Sequence, residues 1–325
     1  MPVNPFEILT PEAILTAVER ATGLRLTGLT SPLPSYINRV YELRDVDGTK
    51  LIVKFYRPGR WTREAIEDEL TFVADCQDAE VPVVPPMLFA DGSLIAEHEG
   101  IFFALYPKRA GRQLEINDES DWMRIGALVA RIHLAGQRGR AAARVTIHPQ
   151  KSTLSDVEHL CSTVIPERMR ERYRGIAMRL IQASAPHFEG LERIRIHGDC
   201  HRGNILDRLD EGLVVIDFDD MAMGPPVQDL WLLLPERVDK CRHEVDLFLQ
   251  GYERFRQFDR SGLRCVEALR AMRMIYFLAW CSRQVDDYQF QRHFPNWGSD
   301  TFWQKEINDL SEQLGFVEEA LVGDA

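Results

Sequence analysis

The run Ile196-His197-Gly198-Asp199-Cys200-His201-Arg202-Gly203-Asn204-Ile205-Leu206 is followed, after a turn, by Leu213-Val214-Val215-Ile216-Asp217-Phe218-Asp219. Two short apolar runs joined by polar turn residues read as a β-hairpin. A hairpin folds back on itself, so the loop that enters it and the residue that leaves it arrive at one place. Asp199, Asn204 five residues later, and Asp217 thirteen residues beyond Asn204 therefore meet. Single Asp and Asn residues favour turns in any protein, but an ordered set framed by two apolar strands is a much tighter constraint.

The residue types suit phosphoryl transfer. Moving a γ-phosphoryl group requires a divalent metal to neutralise phosphate charge, and hard Mg²⁺ takes oxygen ligands such as a carboxylate and an amide carbonyl. Asp217 and Asn204 supply those two. A third oxygen has to orient the attacking hydroxyl and accept its proton from the same loop, a role that fits Asp199. The order of the three is the catalytic-loop and metal-Asp pattern of kinases.

A second chemical feature lies upstream, in Leu51-Ile52-Val53-Lys54-Phe55-Tyr56, where a lone lysine interrupts an apolar strand. An unpaired buried ammonium is costly. Lys54 either snorkels to water from an edge strand or has anionic partners. In the kinase pattern the strand lysine contacts the α- and β-phosphates and pairs with a helix glutamate. The next helix carries Glu64, Glu67, Asp68 and Glu69; Glu69 is the favoured partner and Glu67 its rival.

The rest of the chain divides into a strand-rich first hundred residues and a helical remainder. The segments 39–44 and 50–56 alternate as hairpin strands around Asp45-Val46-Asp47-Gly48. Helical periodicity covers 64–78, and strands are expected at 93–97 and 100–105, with a boundary between lobes at 107/108. Beyond it, helices are expected at 121–136, 151–183, 227–234, 245–258, 266–285 and 301–314. The formal charge of −11 argues against a general partner among nucleic acids or anionic membranes. Six cysteines show no CxxC pair and no zinc spacing, so reduced thiols in a cytoplasmic protein are expected. No basic region followed by an apolar run opens the chain, and Met274–Cys281 is too short to span a bilayer.

Val53-Lys54-Phe55-Tyr56, His197-Gly198-Asp199-Cys200-His201-Arg202-Gly203-Asn204, Ile216-Asp217-Phe218-Asp219 and Gln228-Asp229-Leu230 together resemble the aminoglycoside phosphotransferase and choline kinase superfamily. Within it, Ser35 to Tyr41, Lys54 to Trp61, Gly224 to Trp231 and Tyr276 to Trp280 are most similar to the stress response kinase A family of bacterial Ser/Thr protein kinases. The resemblance implies an α+β, bilobal, protein-kinase-like fold. A small antiparallel-sheet lobe, 1–107, would bind nucleotide and a larger, mainly helical lobe, 108–325, would carry catalysis.

It also implies roles. Asp199 would be the base, with Asn204 and Asp217 as magnesium ligands. Lys54 and Glu69 would orient the phosphates, and Ser35 would lie on the nucleotide-covering loop. The 103–107 strand end would hold adenine through its backbone. His201 would hold either the γ-phosphate or its own loop. His197 is expected to be architectural, and Asp229 to tie the catalytic loop together. The implied activity is transfer from Mg-ATP to a protein Ser/Thr hydroxyl by a monomer; the alternative acceptor is an amino alcohol, sugar or aminoglycoside. A pseudokinase is disfavoured by the intact Lys54, Asp199, Asn204 and Asp217. Two departures matter: no glycine-rich motif precedes Lys54, the corresponding stretch being Ser31 to Ser35, and only seven residues separate Asp217 from Pro225. That is too few for a long activation segment. Cys200 shows no sign of an activated thiol.

Overall fold

Period-two alternation along the Lys54 strand organises the first lobe. The computed structural model describes residues 5–35, 37–208, 211–287 and 290–322, the side chains of 291, 321 and 322 excepted. Helix α1 (Pro11–Thr22) starts at Thr10, whose hydroxyl caps Ala13 N, and ends at Gly23 in the left-handed conformation. Strands β1 (Leu26–Leu33), β2 (Arg39–Asp45) and β3 (Lys50–Phe55) follow, then α2 (Arg63–Asp78), β4 (Ala96–His98) and β5 (Ile101–Pro107). They form one five-stranded sheet in the order β1-β2-β3-β5-β4, with all neighbours antiparallel.

β3 is the central strand, so Lys54 cannot escape to water from an edge. Its register partners are Val40 on β2 and Ala104 on β5. Leu51, Val53 and Phe55 pack with Phe103, Leu105 and the Ile14 and Val18 of α1. Alternation then turns Ile52 and Lys54 to the opposite face, toward a cleft.

The chain leaves this sheet at Pro107 and enters a second one at β6 (Arg112–Gln113). Helices α3 (Glu119–Gly136), α4 (Leu154–Thr163) and α5 (Glu167–Ser184) come next, then β7 (Ile194–Ile196), β8 (Ile205–Arg208), β9 (Gly212–Val215) and β10 (Ala222–Gly224). Helices α6 (Val227–Trp231), α7 (Arg242–Tyr252), α8 (Val266–Ser282), α9 (Phe290–His293) and α10 (Asp300–Val322) complete it. The expected hairpin is β8–β9, extended by β6, while β7 pairs with β10 to flank the loop that precedes it. The fold is α+β and bilobal, as expected.

Several boundaries differ from the sequence reading. The single helix expected at 151–183 is a π-turn followed by α4 and α5, because Pro166 cannot continue α4 and restricts Ile165 before it. The strand expected from Ser93 begins only at Ala96, since Ser93 N is bound to Asp91 Oδ1 in a turn. α7 stops at Tyr252, where Phe255 N bonds back to Tyr252 O and closes a turn.

Helices α3 and α7 cross at backbone contact. A Cβ on Gly126 would lie 2.0 Å from Phe248 O, and one on Gly251 would lie 1.9 Å from Met123 O. Neither carbonyl belongs to a flexible side chain, so a methyl group has to force the helices apart. Gly251→Ala is expected to lower stability by about 2 kcal/mol despite alanine's better helix propensity. Urea unfolding measures it; an unchanged midpoint contradicts this close packing.

Candidate active site

The loop between β7 and β8 is held from below by one buried carboxylate. Asp229, on α6, accepts the backbone N–H groups of His197 and Gly198, both at 2.8 Å, and contacts the buried His133 Nε2 at 3.1 Å. Gly198 has φ +82, and a Cβ there would lie 2.1 Å from Asp220 O, so only glycine fits. The His197 ring contacts Ile216 O at 3.0 Å and packs on Phe218, tying the loop to the strand that delivers Asp217. Both His197 and Asp229 are thus architectural.

Asn204 closes the loop. Its Nδ2 donates to Asp199 O at 3.0 Å, and its own backbone carbonyl accepts Ile216 N at 3.0 Å. Asp217 follows with φ +62, a left-handed conformation uncommon outside glycine. Strained backbone of this kind clusters at functional sites.

Asp199 faces an arginine and a histidine. Its carboxylate lies 2.6 Å from the Arg273 guanidinium on α8 and 3.5 Å from His201 Nε2. Burial works to raise the Asp199 carboxyl, but the His201 hydrogen bond and the charge of Arg273 outweigh it and bring it to about 2. The same hydrogen bond lifts His201 above the usual imidazole range. His201 Nδ1 accepts Gly203 N at 2.9 Å, so this side chain holds its own loop as well as the carboxylate.

Lys54 Nζ sits among three carboxylates: Asp219 at 3.1 Å, Glu69 at 3.2 Å and Asp217 at 3.4 Å. Glu67 instead pairs with Arg63 on the surface. Burial alone would lower the Lys54 ammonium, yet Asp219, Glu69 and Asp217 together raise it well above its ordinary value. Two arginines complete the cluster. Arg60 lies 2.9 Å from Asp219 and 2.6 Å from Asp220, and Arg144 lies 2.9 Å from Glu69. Burial pushes Glu69 up, whereas Arg60, with Lys54, overcomes burial to pull Asp219 down.

These groups line a cavity of about 620 Å³ between the lobes. Ser35, Lys54, Glu69, Asp199 and Asp217 border it; His201 and Asn204 stand behind Asp199. Of the 103–107 strand end, Tyr106 and Pro107 reach the cavity, whereas Phe103 is in the core. The Ser31 to Ser35 stretch is less of a loop than expected, since Ser31, Pro32 and Leu33 pair with Glu42, Tyr41 and Val40. Arg60, Arg144, Arg273 and the pairing of Asp219 were missed by sequence reasoning. Their partners are distant in the chain and leave no local pattern.

Comparison with known proteins gives this site a lineage. Residues 30–269 match the Phosphotransferase enzyme family. The chain belongs to that family. This phosphotransferase is similar to Stress response kinase A of Escherichia coli (strain K12), 34% identical over 316 residues that cover 97% of this chain and 95% of the relative. It is likewise similar to Serine/threonine protein kinase RdoA of Salmonella typhimurium (strain LT2), at 33% over 321 residues, covering 97% and 95%. Among solved structures, amicoumacin kinase hAmiN in complex with AMP-PNP, Ca²⁺ and Ami shares the fold, with TM-score 0.71, 18% identity and coverage of 92% and 93%. The phosphotransferase is a kinase. Among its described residues no helix is long and apolar enough to cross a membrane.

The Asp199–His201 contact gives stability a pH signature. His201 is raised on folding, so its contribution is complete below the unfolded value of about 6.5 and disappears as pH rises through the higher folded value. The loss in melting temperature on His201→Gln is therefore expected to be largest at acidic pH and to shrink above neutrality. Thermal unfolding of both proteins across that range checks it; a constant difference contradicts the contact.

Proposed function

We propose that this phosphotransferase uses Mg-ATP to phosphorylate protein Ser/Thr hydroxyls in a bacterial stress response. The observation that carries the reading is the 34% identity over 97% of the chain with Stress response kinase A. It is supported by the meeting of Asp199, Lys54 and Asp217 on one cavity.

The residues fit a magnesium ion. Asn204 commits its Nδ2 to Asp199 O, which leaves Oδ1 as a free acceptor, and the Asp217 side chain is half-exposed to the cleft. Asn204 and Asp217 would hold the ion, which when bound neutralises charge on the phosphates. Lys54, kept in place by Glu69, would meet the α- and β-phosphates, with Ser35 on the covering loop and the 103–107 strand end at adenine. The complex of amicoumacin kinase with AMP-PNP is in keeping with a nucleotide in this cleft.

Asp199 serves as the base. The acceptor oxygen forms a bond to the γ-phosphorus while the bond from phosphorus to the β-phosphate oxygen breaks. The hydroxyl proton passes to Asp199 and ADP leaves. A carboxylate this acidic is a weak proton acceptor, so its main contribution is to orient the hydroxyl, consistent with a loose transition state that needs little proton transfer early on. His201 steadies Asp199. We place the boundary of the nucleotide-binding lobe at 107/108, and the working form as a cytoplasmic monomer.

The test is incubation with γ-labelled ATP, magnesium and a generic protein acceptor. Label is expected on protein, reduced on the order of a hundredfold or more in Asp217→Ala. No label on protein, with transfer to an amino alcohol or aminoglycoside, would replace this reading with a small-molecule kinase.

A further inference from the structure

A second cavity, of about 90 Å³, adjoins the cleft on the side of the catalytic loop away from Ser35 and Tyr106. Gly198, next to Asp199, forms part of its wall, and Asp220, Arg273 and Tyr276 border both spaces. Arg273, 2.6 Å from Asp199, is therefore within reach of the residue next to any hydroxyl presented to Asp199.

The charges there are already committed on the acidic side. Asp156, in the wall, is 3.1 Å from Arg283. Asp220 is 2.6 Å from Arg60 and also accepts the Tyr276 hydroxyl at 2.9 Å. Asp199 is 2.6 Å from Arg273. Each of these three carboxylates thus has an arginine, and Asp217 on the cleft has Lys54, so a cationic acceptor would have to displace a resident cation. Arg273 differs. Its guanidinium has five N–H donors, gives one bond to Asp199 through Nη2, and is about one-third exposed.

We propose that Arg273 is an acceptor-specificity residue, selecting a Ser/Thr whose neighbour is acidic and rejecting one whose neighbour is basic. The inference rests on the protein-kinase reading above. At the ionic strength of a cell the Debye length is about 8 Å, so the local guanidinium outweighs the overall negative charge of the chain for a group in contact with it.

The experiment compares two synthetic peptides, each with a single Ser flanked on both sides by Glu or by Lys, at physiological ionic strength. The wild type is expected to favour the Glu peptide by about tenfold or more in kcat/KM, because like-charge contact is penalised and opposite-charge contact rewarded. Arg273→Gln also deprives Asp199 of its partner and slows both reactions. The ratio between peptides is the informative quantity: it falls toward one in Arg273→Gln and is retained in Arg273→Lys. Equal use of the peptides by the wild type, or an unchanged ratio in Arg273→Gln, overturns the proposal alone. Transfer to neither peptide while a small alcohol is phosphorylated overturns the protein-kinase reading and the proposal with it.

Discussion

A lysine ammonium buried in the middle strand of a sheet governs the arrangement of both lobes. Lys54 is the β3 cation that lines the cleft, and desolvating it is tolerable only because Glu69, Asp217 and Asp219 surround it. Three carboxylates around one ammonium would repel one another, and Arg60 and Arg144 restore the balance. Lys54, Glu69 and Arg60 belong to the first lobe, and Asp217 and Asp219 to the second. The charge cluster is therefore also one fastening between lobes, beside the Arg57–Asp287 and Arg195–Asp75 pairs and the packing of Phe72 and Val73 into the second lobe's core. Removing one of the cluster's buried members, Lys54, Glu69 or Asp219, leaves uncompensated charge, at a cost of about 3–5 kcal/mol.

The second lobe contributes rigidity at depth. Asp229, fully buried, fixes two consecutive backbone N–H groups of the catalytic loop, and His133, itself held by the Tyr252 hydroxyl, fixes Asp229 in turn. Through α3 and α7 this chain of contacts reaches the glycine crossing, where the two helices pack without intervening side chains. Asp199 and Asp217 thus project from a loop and a strand end that cannot easily shift. Preorganised charge of this kind is worth more in a water-poor cleft than in solution.

Much of this was legible because hairpins and strand alternation leave period-two patterns. The β8–β9 hairpin and the β2–β3 hairpin both follow from it. Kinase chemistry called for a helix glutamate beside Lys54 without choosing between Glu69 and Glu67; in the structure Glu69 is buried against Lys54 and Glu67 pairs with Arg63 on the surface. β1 was overlooked because Gly28 and Pro32 look like breakers, yet β1 is a sheet edge, where proline is tolerated. α1 did carry a signal, Thr10-Pro11 at its start and Gly23 at its end, that went unread. The arginines had none. Arg60 meets Asp220 across 160 residues, Arg144 meets Glu69 across 75, and Arg273 meets Asp199 across 74. Only the tertiary fold pairs them. Cys200, by contrast, is buried, and that burial raises its thiol well above the ordinary value.

The most direct test of the cluster is thermal unfolding of wild type and Lys54→Met as a function of pH, without nucleotide. Without the ammonium, Glu69, which burial already pushes up, loses the first of the charges that hold it down, so it binds its proton more tightly in the folded state than in the unfolded one. Stability of the variant then recovers as pH falls and Glu69 protonates. The gap between the two proteins is expected to be wide near pH 8 and to narrow toward pH 5. A gap that does not change with pH would mean that Lys54 is held by packing and that its charge does not join the lobes.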